Sequence, residues 1–205
     1  MRYIWFTIDS FDTLWCGVGM SVTIDEKLAG ALATAVMQKP RANLQQIASM
    51  AGISKATLYR ISPTRESVIA LLTTLSRRHL ENALQYADLS SSSFKDALMR
   101  LTEGVMASRP FYLFWCASLW MDMSDLKNQD MKGYSPSFYS EALEGFFLRG
   151  QMEGVFRVDL TATWLAKSYD FLVYAAAESA ERGEIASVGI SDMVCKTFFD
   201  GSVSK

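Results

Sequence analysis

Four side chains in the stretch AGISKATLYR, residues 51 to 60, are of types that bind nucleic acid. Lys55 and Arg60 can contact phosphates or the edges of guanine bases, and Thr57 can donate or accept a hydrogen bond. The hydroxyl of Tyr59 can reach a phosphate across the lip of a groove. The pattern predicts a short helix that presents these groups to the major groove of DNA.

The neighbouring residues predict the elements that position this helix. Asn43 is a natural N-cap for a short helix that contains Ile47, and Ser54 is a natural N-cap for the next helix. Gly52, between the two, can adopt a left-handed turn conformation without steric cost. Ile47 and Leu58 can then hold the helices together as a helix-turn-helix unit. A tight helical hairpin inside a bundle core needs the same residue types, so periodicity alone leaves this second interpretation open.

Apolar residues recur at helical spacing along nearly the whole chain. One predicted helix face carries Ile24, Leu28, Leu32, Ala35 and Val36. Pro40 ends that helix, and Pro110 prevents another helix from continuing past Arg109. We find neither an alternating β pattern nor an internal repeat. The sequence therefore predicts an all-α fold of about nine helices, with a three-helix helix-turn-helix domain before a larger helical domain.

Charge is distributed unevenly, although the net charge is only -2. Residues 20 to 80 carry eight Lys and Arg against three Asp and Glu, whereas residues 81 to 205 carry eleven against seventeen. The first third of the chain is therefore the candidate for binding a polyanion. The apolar share of 50% supports a sizeable core and argues against disorder.

Cysteine and histidine usage argues against a metal site or a disulfide framework. The cysteines lie far apart, at Cys16, Cys116 and Cys195, and His79 is the single histidine. Buried thiols in a reducing cytoplasm are the expected state. The chain also lacks a phosphate-cradling glycine-rich loop and a nucleophile-elbow pattern, so it is predicted to be neither an enzyme nor a cofactor-binding protein.

Residues 1 to 19 form an apolar and aromatic N-terminal extension. Asp9 and Asp12 interrupt any signal-peptide pattern, and the segment is too polar and too short to span a bilayer. Two interpretations stay open: an extra packing segment, or a natural start at Met20, where MSVTIDEKL begins. In either case the protein is expected to be cytoplasmic, with no membrane partner.

The run LQQIASMAGISKATLYR, followed by PTRESVIALL, resembles the N-terminal domain of the TetR family of bacterial transcriptional regulators. The matching elements are Ile47-Ala48, Ala51-Gly52-Ile53-Ser54, Leu58-Tyr59 and Arg65-Glu66. Beyond this motif the chain is similar to the family only in layout. The resemblance implies a DNA-binding domain at residues 20 to 66 and a helical ligand-binding and dimerisation domain at residues 67 to 205. The residues expected to contact DNA are Asn43, Ser54, Lys55, Ala56, Thr57, Tyr59, Arg60 and Arg65.

The same resemblance implies a function and a set of partners. The chain would be a repressor that binds a palindromic double-stranded DNA operator as a homodimer, paired through its last two helices. A small-molecule effector in the second domain would release the DNA. The alternative is a TetR-like module that binds small molecules or proteins and has lost sequence-specific DNA binding.

Ile61 and Ser62 are where the sequence departs from the family, which commonly has His and Phe at these two places. The departure removes a phosphate contact and a buried ring whose loss, without repacking, costs about 3 to 5 kcal/mol. We expect Ile61 to turn into the vacant space. Ser62 with Pro63 can start the next helix, and Thr64 is the competing N-cap.

Aromatic residues concentrate in the predicted second domain. By the resemblance, a pocket for an apolar or aromatic effector is expected there, lined by Phe111, Trp115, Trp120, Phe138, Phe146, Trp164 and Tyr169. An aromatic stripe at helical spacing is also what a plain core requires. Glu103 and Asp170 can meet a cationic group if they face inward.

Overall fold

The computed structural model describes residues 24 to 120 and 137 to 202. The described residues form nine helices, which confirms the all-α prediction: α1 (Glu26–Gln38), α2 (Leu44–Met50), α3 (Lys55–Ile61), α4 (Arg65–Ala87), α5 (Phe94–Ala107), α6 (Arg109–Trp120), α7 (Ser137–Met152), α8 (Ala162–Glu181) and α9 (Ile190–Ser202). The N-terminal extension at residues 1 to 19 lies outside the described residues, as does the side chain of Trp120.

The first three helices and the start of α4 enclose one hydrophobic core, here called the head core. Leu32 from α1, Ile47 from α2 and Leu58 from α3 are each 0 or 1% exposed. Because α3 is only seven residues long, it is held by this burial rather than by its own helical propensity. The head core therefore fixes the helix that carries the predicted DNA contacts.

Helix α4 belongs to two cores. Its first turns place Val68 and Leu72 in the head core. Farther along, Leu80 and Ala83 pack in a second and larger core made with α5 to α9. The helix has 23 residues and therefore spans about 35 Å. A division of the chain at residues 66 and 67 stays a prediction, since the helix that starts there contributes to both cores.

Helix α6 also faces both cores. Phe114 packs in the head core, whereas Tyr112 and Trp115 pack in the second core. The sequence of α6 is apolar almost throughout, and all residues from Phe111 to Cys116 are buried. Two helices thus connect the cores by packing.

The second core closes around the end of α7. A Cβ atom built on Gly150 would lie 2.3 Å from Cδ2 of Phe156 and 2.9 Å from Cε1 of Phe94. Phe147 and Phe198 complete this aromatic packing, with ring centroids 5.4 Å apart. Gly150 is needed here because the Phe156 ring occupies the space of a side chain.

We expect Gly150→Ala to lower the free energy of unfolding by about 1 to 3 kcal/mol, since the added methyl group overpacks the core. Gly145→Ala on the same helix is the matched control, because a Cβ there meets nothing within 4 Å. The control should be neutral or stabilise by up to about 1 kcal/mol through helix propensity. Chemical denaturation measures both. Equal effects of the two variants would contradict the close approach at Gly150.

Candidate nucleic-acid interface and effector core

Helices α2 and α3 are set by caps that the sequence predicted. Asn43 Oδ1 accepts a hydrogen bond from the backbone N–H of Gln46 at 3.0 Å, and Gln46 Oε1 accepts one from the N–H of Asn43 at 3.2 Å. Ser54 Oγ accepts from the N–H of Thr57 at 3.1 Å. Gly52 has φ of +72°, which is the left-handed turn conformation. Both predicted N-caps and the glycine turn are confirmed.

Most of the surface of α3 is exposed in the part of the chain that the structure describes. Leu58 is fully buried in the head core, and Tyr59 is 45% exposed. Lys55, Ala56 and Arg60 are also exposed. A short helix with a single buried residue leaves its other faces available to a partner. The structure thus brings together on one helix five of the residues expected to contact DNA, which are Lys55, Ala56, Thr57, Tyr59 and Arg60.

Local contacts restrain several of these side chains. The Nζ atom of Lys55 lies 5.3 Å from the centroid of the Tyr59 ring, within the range of a cation–π interaction. The hydroxyl oxygens of Ser54 and Thr57 are 2.9 Å apart and share a hydrogen bond. Ser54 and Asn43 thus have capping roles, and any DNA contact by them stays a prediction.

The end of α3 differs from the expectation. The helix ends at Ile61, and Ser62 is the residue that turns inward, with 4% exposure. Ile61 is only half-buried and lies outside the apolar residues that pack on the head core. The prediction that Ile61 fills the vacant space is therefore wrong. At Ser62 the backbone becomes extended, with φ of -149°. Because of this change of direction, Ser62 faces the inside and Ile61 does not.

Thr64, not Ser62, caps α4. Thr64 Oγ1 accepts from the N–H of Ser67 at 3.1 Å, and Ser67 Oγ accepts from the N–H of Thr64 at 3.1 Å, which completes a capping box. Ser62 instead closes α3, because its N–H donates to the carbonyl of Leu58 at 2.8 Å. The sequence left open whether Ser62 or Thr64 is the N-cap of α4, and the structure shows that it is Thr64.

Arg65 begins α4 beside the predicted interface. Its guanidinium donates to the carbonyl oxygen of Pro40, in the connection between α1 and α2. A guanidinium has five N–H donors, so this bond leaves others for a phosphate. Arg65 thereby links the start of α4 to the head, and its expected DNA contact stays a prediction.

The aromatic residues expected to line an effector pocket do not form one group. Trp115, Phe146 and Tyr169 lie in the second core, and Phe138 packs against it. Phe111 lies in a separate small cluster and stacks on His79 with ring centroids 4.2 Å apart. Trp164 is 58% exposed on α8. The structure thus places Phe111 and Trp164 apart from the others.

A polar cluster inside the second core is the feature that the sequence did not reveal as a unit. The hydroxyl of Tyr112 donates to Asp170 Oδ1 at 2.7 Å and also contacts the Asp170 carbonyl oxygen at 3.0 Å. The Tyr139 hydroxyl is buried and has no hydrogen-bond partner among the described residues. Asp170 therefore faces inward, which is the condition that the sequence left open for contact with a cationic group. An acidic residue within the apolar run WLAKSYDFLVY was the available signal.

Burial controls the ionisation of this cluster. It raises the pKa of Asp170 above its ordinary value, and the hydrogen bond from Tyr112 opposes that rise. Burial also raises the pKa of Tyr139 well above its ordinary value and that of the Cys116 thiol to about 12. Asp170 is therefore the one member of this cluster that can carry charge near neutral pH.

No group of three or more His, Cys, Asp and Glu side chains in the described ranges is placed to hold a metal ion. Among the described helices, none is both long and apolar enough to cross a membrane.

We expect Thr64→Ala to lower the free energy of unfolding by about 1 kcal/mol, because the N–H of Ser67 loses its acceptor at the start of α4. Ser62→Ala should cost clearly less, since the backbone hydrogen bond of Ser62 is retained. Thermal unfolding of the two variants checks the assignment of the cap. A larger loss for Ser62→Ala would overturn it.

The pKa of Asp170 predicts a pH dependence of stability. The Asp170 carboxyl binds its proton more tightly in the folded protein than in the unfolded chain, where its pKa has the ordinary value of 3.8. The stabilisation is thus present at low pH and is lost as pH rises from 3.8 through the folded pKa. Asp170→Asn should remove this loss, whereas exposed Asp192→Asn should keep it. Urea unfolding between about pH 4 and 7 measures it, and parallel curves for wild type and Asp170→Asn would refute it.

Comparison with known proteins places this geometry in a family. No protein-family model matches the chain. The chain is 34% identical over 181 residues to the HTH-type transcriptional regulator NfxB of Pseudomonas aeruginosa, covering 88% of this chain and 95% of NfxB. Its fold matches the MbdR regulator of Azoarcus sp. CIB with a TM-score of 0.67 and 16% identity, over 87% of this chain and 98% of MbdR.

A second solved structure adds a bound small molecule. The TetR-like regulator LfrR of Mycobacterium smegmatis, in complex with proflavine, matches with a TM-score of 0.59 and 24% identity, over 87% of this chain and 96% of LfrR. The match to NfxB extends over most of both chains. The chain belongs to the TetR family of helix-turn-helix transcriptional regulators.

Proposed function

We propose that this protein is a ligand-responsive repressor that binds a palindromic operator as a homodimer in the bacterial cytoplasm. The observation that carries the proposal is the surface of α3, where Lys55, Tyr59 and Arg60 are exposed while Leu58 anchors the helix in the head core. The relative NfxB is named as an HTH-type transcriptional regulator, which supports the same function for this chain.

The side chains of α3 suit the two kinds of DNA contact. Arg60 and Lys55 can each bind a phosphate or the edge of a guanine, and Thr57 can contact a base edge or a phosphate. The contact between Lys55 and Tyr59 holds an ammonium group and a hydroxyl near each other on one surface. The positive balance of residues 20 to 80 attracts the phosphate backbone to this end of the molecule.

The homodimer is proposed to form through α8 and α9. Trp164 on α8 is 58% exposed, and Met193 on α9 is 42% exposed. Large apolar side chains exposed on neighbouring helices are typical of a surface that a second copy covers. Trp164 is thus assigned to the dimer surface and not to the effector pocket. Two heads would then bind half-sites about 34 to 36 Å apart on one face of the DNA.

The effector is proposed to bind in the second core, near Trp115, Phe138 and Tyr169. Trp115 and Phe138 meet edge to face, with ring centroids 5.8 Å apart. Asp170 and the unpartnered hydroxyl of Tyr139 offer two polar groups in an otherwise apolar surrounding. A small apolar or aromatic molecule with few polar groups fits this lining. The complex of LfrR with proflavine supports an aromatic ligand in this fold.

Release of DNA requires that the effector bind the two states of the dimer with different affinity. Because α4 and α6 pack in both cores, a shift of either helix in the second core also moves the head. A coupling of about 1 to 3 kcal/mol is enough to change operator affinity 5- to 150-fold.

Loss of the family's His and Phe at residues 61 and 62 favours the alternative function, a ligand-binding module without DNA specificity.

Operator binding separates the two functions. The DNA upstream of the protein's own gene should bind specifically, and the logarithm of the affinity should fall linearly with the logarithm of salt concentration. Lys55→Ala and Arg60→Ala should each weaken binding by about 1 to 3 kcal/mol if they contact bases. If they contact phosphate, each should reduce the salt slope by about 1. Fluorescence anisotropy over a salt series measures both.

Arg78→Ala is the matched control, because this arginine is exposed on α4 and lies on neither α3 nor the helices of the proposed dimer surface. It should leave affinity and salt slope unchanged. Specific binding by wild type that none of Lys55→Ala, Arg60→Ala and Tyr59→Phe alters would show that α3 is not the reading helix. No specific binding to any fragment of its own genomic neighbourhood would favour the alternative.

A further inference from the structure

A large cleft lies between the head and the second domain, apart from the proposed effector pocket. Its volume is about 850 Å³, which is in the range of sites for small molecules. One wall comes from α1, and the others come from α4, α5 and α6. Of the described side chains that were expected to line an effector pocket, only Phe111 borders this cleft. The cleft is therefore a distinct cavity.

The charged groups of the cleft are mainly acidic. Glu26 lies on the α1 side and Glu103 on the α5 side, and Lys27 is the one ammonium group among the described residues that line the cleft. His79 also lines the cleft, and burial lowers its pKa despite the opposing effect of Glu26. His79 is therefore neutral at neutral pH and does not cancel the charge of Glu26. Two carboxylates against one ammonium favour a cation.

Apolar and aromatic surfaces complete the cleft. Phe111 stacks on His79 with an interplanar angle of 16°. Tyr86 is 57% exposed, and its hydroxyl is 3.5 Å from Glu103 Oε2. Gly104 lets α5 approach α4 closely, because a Cβ atom there would lie 3.1 Å from Cα of Ala83. The cleft thus has an aromatic wall, small side chains at its base and a carboxylate on each of two sides.

One buried polar atom in the cleft is left without a hydrogen bond. His79 Nε2 lies 3.1 Å from Glu26 Oε1 but is not in hydrogen-bonding geometry with it or with any other described group. A buried nitrogen in this condition costs free energy, and a ligand group that pairs with it removes that cost. His79 Nε2 is thus a further polar group on the α4 side of the cleft with which a ligand can pair.

We propose that this cleft is a second ligand site, which takes an organic cation with an aromatic or apolar body. The cationic group would lie between Glu26 and Glu103, and the body would pack on Phe111 and Tyr86. Because α1 supplies one carboxylate and α5 the other, the bound molecule would bridge the head and the second domain. The site does not depend on the effector pocket proposed above.

A pair of probes that differ in charge tests the site. Isothermal titration calorimetry of the full chain would compare 4-phenylbutylammonium with 4-phenylbutanol, which has a similar shape and no charge. We expect one cation per chain, with a dissociation constant of about 1 mM or tighter, and binding of the alcohol weaker by about fivefold or more. Failure of the cation to saturate wild type by about 10 mM would overturn the proposal.

Variants locate the bound cation. The double variant Glu26→Gln/Glu103→Gln should weaken binding about tenfold, since each solvent-exposed ion pair contributes modestly. Ala107→Leu, which extends a larger side chain into the cleft without changing charge, should weaken it as well. The matched controls are Glu141→Gln/Glu184→Gln and Ala70→Leu, at exposed positions outside the cleft. Circular dichroism of each variant verifies that the helical fold is retained.

The outcomes distinguish this site from the effector core. Weakening by the Glu26→Gln/Glu103→Gln variant, with Asp170→Asn unchanged, supports the cleft. Weakening by Asp170→Asn alone would place the cation in the second core and overturn the cleft proposal, while leaving the proposed function intact. Unchanged binding in Glu26→Gln/Glu103→Gln overturns the cleft proposal even if Ala107→Leu fails to fold.

Discussion

The sharing of α4 between two hydrophobic cores is the constraint on which the rest of the structure depends. Val68 and Leu72 pack in the head core, and Leu80 and Ala83 pack in the second core of the same unbroken helix. Because one unbroken helix supplies side chains to both cores, a shift of α4 in one core displaces its side chains in the other. The capping box at Thr64 sets where this helix begins.

Helix α6 provides the second connection and gives the cleft its position. Phe114 inserts in the head core while Trp115, its neighbour in sequence, packs in the second core. With α4 and α6 fixed between the cores, α1 faces α5 across an open space. A ligand in the second core and a ligand in the cleft would therefore act on the same two helices from different sides. Each ligand would act through the packing of α4 and α6 in the two cores.

The helices and the caps could be predicted because they depend on neighbouring residues. Asn43 and Ser54 accept hydrogen bonds three residues along the chain, and Gly52 needs only its own backbone freedom. The end of α3 could not be predicted in the same way. Both Ser62 and Thr64 have capping side chains, and the choice depends on how the chain must turn to bring α4 onto the head core. Burial of Ser62 in place of a ring follows from that turn.

The sequence by itself determined the helical fold, the family motif and the face of α3 that is free to contact DNA, because periodicity and capping are local. Only the tertiary structure decided which aromatic residues meet. In the sequence, Phe111 and Trp164 are aromatic residues of predicted helices in the same way as Trp115. In the structure, Phe111 stacks on His79 at the cleft and Trp164 is exposed on α8. Likewise, the inward position of Asp170 depends on α6 supplying a hydroxyl donor. Such contacts join residues far apart in the chain, and the periodicity of one helix does not encode the rotation of its neighbours.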